Sequence, residues 1–174
     1  MINKTSLLAV VFAFVLIQQT GCNKTKDGSF VEPITLYEKV KGTWKLDDIT
    51  QIDHIAQELD SKHKELDMYT ELGFPSFQLK LNVDDKNAPT SYEVLGNAPE
   101  LFPNSGFWEL NVAFIQANGT SPQLLLYSDA EKSNLTAKLH VTTIPGTADK
   151  MDIVLTRYAE GVAYVSYHYK LSTK

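Results

Sequence analysis

The stretch KVKGTWKLDD, residues 39–48, sets a glycine, a spacer and a tryptophan ahead of polar and apolar residues in near alternation. Alternation with a period of two is what a strand with one buried face requires, so the stretch reads as the start of a barrel strand. Trp44 is then either the first core anchor of an ordinary β-domain or the closed base of a barrel that holds a small molecule.

The rest of the chain carries the same pattern. Phe77, Leu79, Leu81 and Val83 alternate with polar neighbours, as do Trp108, Leu110, Val112 and Phe114, and again Leu135, Ala137, Leu139 and Val141. Shorter strands are predicted at 43–52, 90–95, 122–128, 150–158 and 162–171, which makes eight. Six of the seven prolines, Pro33, Pro75, Pro89, Pro103, Pro122 and Pro145, fall at or outside these boundaries, and Pro99 lies in the loop before Trp108. Proline removes a ladder donor, so its exclusion from strand interiors supports the segmentation. The final hairpin is expected to turn through a three-residue loop, Ala159-Glu160-Gly161, setting Leu155 opposite Val165 and Ile153 opposite Tyr167.

One segment departs from the strand pattern. Asp53 to Leu72 places Ile55, Leu59, Leu66 and Tyr69 at helical spacing, with Asp53 as an N-cap and Gly73 and Pro75 as stops, and predicts one helix that buries an apolar stripe. A shorter amphipathic piece, Ile34 to Val40, precedes the first strand. The fold class is therefore all-β: eight strands joined next-neighbour close into an up-and-down barrel, with a helical insertion between strands one and two.

The N-terminus reads as a targeting segment. Lys4 gives a short positive region, and Leu7 to Ile17 form an apolar run too short for a finished transmembrane helix, so residues 1–21 are expected to be a signal peptide. Gln19-Thr20-Gly21-Cys22 follows, and Cys22 is the only cysteine. This resembles the lipobox of bacterial lipoproteins, in which a signal peptidase cuts before a diacylated cysteine. A secreted chain with one stray thiol is the other reading. The resemblance implies that Cys22 is lipidated, that residues 22–32 are a lipid-anchored linker, that residues 33–174 form the domain, and that the chain sits in the bacterial cell envelope at the outer membrane. Acyl chains at roughly 0.8 kcal/mol per buried methylene hold such a chain on its membrane.

Charge narrows the partners. The chain has 16 lysines and arginines against 21 aspartates and glutamates, and loss of Lys4 with the leader takes the net charge from −5 to −6. With no basic patch, nucleic acid is not expected as a partner. Without a second cysteine there is no internal disulfide, and stability rests on packing.

The Gly42-Thr43-Trp44 start, the middle strand SGFWEL (105–110), the tyrosine-rich last strand YVSYHYKL (164–171) and eight strands in this length resemble the lipocalin superfamily, in particular lipocalin-like lipoproteins of unknown function from Bacteroidetes. That resemblance covers the whole domain. It implies a barrel whose base is plugged by Trp44, with Lys170 from the last strand crossing its ring. The opposite rim then receives the helix, and there Trp108 and Arg157, the only arginine, are expected to meet Leu59 and Leu66 around an opening for a small apolar or amphipathic ligand. The competing reading is a filled barrel, with Trp108 in the core and Arg157 on the hairpin surface.

No reaction is legible. Ser61-Lys62-His63-Lys64 matches an S-x-x-K pattern without any companion motif. His63 with Asp60 and Asp67 reads as a solvated helix face rather than a metal site, His168 as a packed histidine and His140 as an exposed one. The expectation is a non-enzyme with no catalytic residues, no metal and no cofactor: a membrane-anchored lipoprotein that binds a ligand or, with a solid barrel, a surface module for a glycan or protein.

Overall fold

A computed structural model describes residues 32–146 and 149–173; the expected signal peptide, Cys22 and the linker before Glu32 lie outside the described residues. The first element is helix α1 (Leu36–Val40), started by a reciprocal cap in which Thr35 Oγ1 accepts from the Glu38 amide and the Glu38 carboxylate accepts from the Thr35 amide. Its Leu36 and Val40 are buried. Strand β1 (Gly42–Asp53) follows and buries Trp44 and Leu46, and an irregularity between Leu46 and Asp48 returns Ile49 to the same inner face.

Seven further strands continue the wall in chain order: β3 (Gln78–Val83), β4 (Pro89–Leu95), β5 (Ser105–Leu110), β6 (Gln123–Tyr127), β7 (Leu135–Thr143), β8 (Lys150–Ala159) and β9 (Val162–Ser172). All neighbours are antiparallel, and β1 pairs with β3 through Trp44↔Leu79 and with β9 through Ile49↔Tyr169, so eight strands close into a barrel, as the alternation predicts. A three-residue strand, β2 (Glu65–Asp67), adds to the second half of β1 where β3 no longer pairs with it.

Antiparallel order fixes which loops share an end. Helix α1 and the β3–β4, β5–β6 and β7–β8 connections lie at one end. The segment between β1 and β3, the β4–β5 loop and the β6–β7 and β8–β9 turns lie at the other, called here the rim. Between them the interior is filled by one apolar cluster, whose largest fully buried members are Trp44, Trp108, Tyr92, Tyr169 and Phe74. Side chains of this size fill an eight-stranded barrel.

Three expectations are corrected. The helix over Asp53–Leu72 is broken into α2 (His54–Glu58), β2 and α3 (Met68–Glu71), because two aspartates each start a separate helix: Asp53 accepts from the Ala56 amide at 2.9 Å and Asp67 from the Thr70 amide at 3.2 Å. The chain reverses between them at Asp60, which has φ 49°. The stripe is therefore not buried, with Leu59 77% and Leu66 41% exposed; the segment instead buries Met68, Phe74 and Phe77.

The strand expected over 108–114 ends at Leu110. Asn111 Oδ1 accepts from the Gln123 amide at 2.8 Å and the Ala113 carbonyl from the Leu36 amide at 2.8 Å, so the chain leaves the sheet to hold α1.

The last hairpin turns through two residues, Glu160 and Gly161, both with positive φ (51° and 81°), and Ala159 pairs with Val162. Tyr164 is then an extra residue opposite the Arg157–Tyr158 step, which pairs Leu155 with Tyr167 and Ile153 with Tyr169. Neither simple register gives that pairing. The tight turn suits the strand twist, and the bulge restores apolar facing apolar.

Candidate functional site

The wall opens between β7 and β8. Strands β7 and β8 pair from Thr143↔Asp152 to Leu139↔Leu155 and no further, although both continue toward the rim. Residues 135–138 keep their bonds to β6 and 156–159 keep theirs to β9, so the two strands face each other across a gap. A cleft of about 370 Å³ occupies it, lined among others by Leu135, Ala137, Lys138, His140, Arg157 and Tyr158. Its cause is local. Thr136 is an extra residue on β7 opposite the Leu126–Tyr127 step and Tyr164 an extra residue on β9, and bulges bend and twist the strands that carry them.

Arg157 stands at the inner side of this slot. Met151, Ile153 and Leu155 are buried on the inner face of β8, and Arg157 continues that row. Its Nη2 donates to the carbonyl of Leu101 in the β4–β5 loop, and among the described residues no carboxylate pairs with it. Beneath that loop Phe102 lies 6.2 Å from the ring of Tyr169 and 6.4 Å from that of Phe77, and Phe77 and Tyr169 are 5.5 Å apart. Tyr169 is 1% exposed and its hydroxyl has no partner. Burial pushes that phenol far above its ordinary pKa, the Tyr167 phenol pushes it the same way, and the Arg157 charge opposes the shift. The slot thus joins a mixed polar and apolar lip to a cation, and the buried Tyr169 hydroxyl lies in the core outside its lining.

The other expected site residues are placed elsewhere. Trp108 is fully buried near α1, its Nε1 donating to the Asn82 carbonyl at 2.8 Å and its ring 5.9 Å from Tyr37, so it does not reach the rim beside Arg157. The strand starts at the rim, but Trp108 comes late in it. Leu59 and Leu66 lie on the exposed insertion rather than over an opening. Trp44 is buried, and its Nε1 donates to the Val40 carbonyl at 2.6 Å, which ties the barrel to α1. Lys170 faces outward on β9, where its Nζ lies 2.8 Å from Asp48 Oδ2, and that carboxylate holds the ammonium above its ordinary pKa. A wall residue so placed does not cross the Trp44 ring. Cys22 lies outside the described residues.

The remaining polar candidates have local partners. Ser61 Oγ accepts from the His63 amide, Lys64 pairs with Asp60 at 3.2 Å, and Asp67 caps α3. Among the described residues no group of three or more histidine, cysteine, aspartate or glutamate side chains is placed to hold a metal ion. His168 bonds Ser166 at 2.9 Å, and its pKa is lowered by burial and then by the His54 and Lys170 charges, with Glu65 opposing.

Sequence reasoning missed the slot, its lip residues Leu135, Lys138 and Tyr158, and the buried hydroxyl of Tyr169. One signal was available: Arg157 shares the parity of Met151, Ile153 and Leu155, which places it inside. The bulges that part the strands leave no such mark.

No curated protein and no solved structure matches the chain. The model of a family described as a domain of unknown function, DUF5004, matches residues 18–172, which is nearly the whole chain, and the chain belongs to that family.

Proposed function

We propose that the mature chain is a lipid-anchored, lipocalin-like binding barrel of the bacterial outer membrane that takes a small amphipathic ligand through the β7–β8 slot and performs no reaction on it. The observation that carries this reading is a cleft of about 370 Å³ between β7 and β8, lined in part by an arginine that, among the described residues, no carboxylate neutralises, in a barrel otherwise filled by side chains. That volume falls in the range of small-molecule sites. Apolar Leu135, Ala137 and Leu155 suit the body of the ligand, and Arg157 suits an anionic head. The lipobox-like Gln19-Thr20-Gly21-Cys22 supports the anchor. The acidic charge disfavours nucleic acid.

The test uses 1-anilinonaphthalene-8-sulfonate, an apolar anion, on the full chain. Uptake should weaken in Arg157→Ala and in Leu135→Asp and stay unchanged in Lys86→Ala, which lies on the β3–β4 turn at the other end. No uptake by the unaltered chain sinks the binding reading. For the anchor, Cys22→Ser should move the chain from the membrane to the soluble fraction; retention on the membrane removes that part alone.

A second reading has its own support. The β8–β9 hairpin exposes Tyr158, Val162 and Tyr164, and an outward aromatic patch on a filled barrel suits a glycan- or protein-interaction module. Loss of partner capture in Tyr164→Ala with fluorophore uptake intact would favour it.

A further inference from the structure

The β4–β5 loop is fastened at both ends and has little backbone hydrogen bonding between them, where Phe102 is buried and Ala98 and Leu101 pack on the core. At its start, Gly96 has φ 94° and sits so close to Ser76 that a Cβ would come within 2.1 Å of the Ser76 carbonyl oxygen, and the Asn97 amide donates to Ser76 Oγ at 3.1 Å. At its end, the Val94 amide donates to the Asn104 carbonyl at 2.7 Å and the Tyr92 hydroxyl to the Pro103 carbonyl at 3.0 Å. Between these clamps, among the described residues, the backbone of 98–102 has one hydrogen-bond partner, the Arg157 guanidinium on the Leu101 carbonyl. Phe102 hangs from that tip into the space shared with Phe77 and Tyr169.

Arg157 is matched to a weaker acceptor than it is built for. A guanidinium offers five donors in a fork that fits a carboxylate with two parallel bonds, and charge-assisted bonds of that kind are about twice as strong as bonds between neutral groups. Here one neutral carbonyl occupies it. In the aromatic nest, where the Arg157 charge acts on it, the Tyr169 hydroxyl has no acceptor, although buried polar groups nearly always find one.

We infer that residues 98–102 are a lid latched by Arg157, and that the ligand is a small monocarboxylate with an apolar body. Its carboxylate takes the guanidinium from the Leu101 carbonyl and accepts a hydrogen bond from the Tyr169 hydroxyl, and its body replaces the Phe102 ring against Phe77. The inference rests on the reading that the slot leads to a binding site, and it adds the head group, the gate and the second donor. Burial keeps Tyr169 protonated across the physiological range, so it remains a donor. Because the latch bond is lost whenever the carboxylate is gained, binding and lid release are one event.

The test compares octanoate, octan-1-ol and octylamine on the full chain by calorimetry, with limited proteolysis by a glutamate-specific protease read at the Glu100–Leu101 bond. Octanoate should bind roughly tenfold to a hundredfold more tightly than the alcohol, as expected of a charged hydrogen bond, and the amine should not bind. Cleavage at Glu100–Leu101 should speed up on adding octanoate. Arg157→Lys keeps the charge but loses the fork, so it should lose most of that preference while its lid is cut fast at Glu100–Leu101 without ligand. Tyr169→Phe should weaken octanoate and leave octanol unchanged. Equal binding of octanoate and octanol, with anilinonaphthalene sulfonate still entering the slot, overturns the carboxylate latch and spares the slot. Unchanged cleavage at Glu100–Leu101 in the octanoate complex overturns the lid. Failure of every probe overturns the slot as well.

Discussion

At Tyr169 the barrel buries a phenol oxygen with nothing to bond, and an unsatisfied buried group costs roughly 1–3 kcal/mol. Removing it therefore works against the usual rule for core substitutions. Tyr169→Phe should stabilise the free chain by up to about 1 kcal/mol after the small loss of packing and so raise its urea midpoint; a lower midpoint means that the hydroxyl has an acceptor. The two tryptophans behave in the ordinary way. Trp44→Ala and Trp108→Ala should each destabilise by roughly 3–5 kcal/mol, and Trp108→Phe should cost more than its lost volume because the Asn82 carbonyl is left unpaired. Trp44 as a buried residue at the start of the first strand was legible from KGTWKL alone, since its neighbours alternate about it. Its partner was not: the amphipathic piece Ile34 to Val40 was legible, but that its Val40 carbonyl holds the indole, and that Lys170 bonds Asp48 instead, depend on how the segments pack and on a pairing more than a hundred residues apart.

Elements were legible where one periodicity ran unbroken. β7 and β8 carry long alternating rows and appear at their expected places, whereas the insertion after β1 has helical spacing over a stretch that holds two separate caps. The second cap, Asp67 ahead of Met68, Tyr69 and Thr70, was the sign that a new helix begins there. The β8–β9 turn offers a direct test. Glu160 pays for a left-handed conformation that asparagine and glycine tolerate, so Glu160→Gly should stabilise the chain by about 0.5–1 kcal/mol in thermal unfolding. Gly161→Val should do the reverse, as φ 81° is a strained value for a β-branched residue. If both changes are neutral, the two-residue turn and the bulge at Tyr164 are wrong together. The slot belongs to this scale too, because it exists only where bulges on β7 and β9 pull neighbouring strands apart.

For the molecule as a whole, the packing of α2 beside β9 makes stability depend on pH. His168 is held below its ordinary pKa by burial, with His54 and Lys170 acting in the same direction and Glu65 against. The unfolded chain then binds the proton more readily than the folded one, so the contribution is complete above the unfolded value near 6.5 and is lost as pH falls from there toward the lower folded value. The unfolding midpoint should drop between about pH 7 and pH 5.5, and His168→Gln should flatten that slope. A slope that survives the substitution assigns it to other groups. The closed eight-strand architecture was legible because the strand rows, the prolines and the single insertion all agree on the same segmentation, and the filled interior and the breach in the wall were not, because side-chain volume and bulges are settled only when the strands meet.

Closure joins the first strand to the last, with Thr50 beside His168 and Trp44's strand sealed only by β9. A chain made from its N-terminus therefore carries the hydrogen-bonding edge of β1 bare until β9 has been synthesised, and contacts of such long sequence separation form slowly. Chains cut short before Val162 should keep two sticky borders, on β1 and β8, and associate with one another through them. Production of this barrel is thus exposed to aggregation at its very last step, and a chaperone that shields the early strand has its greatest effect there.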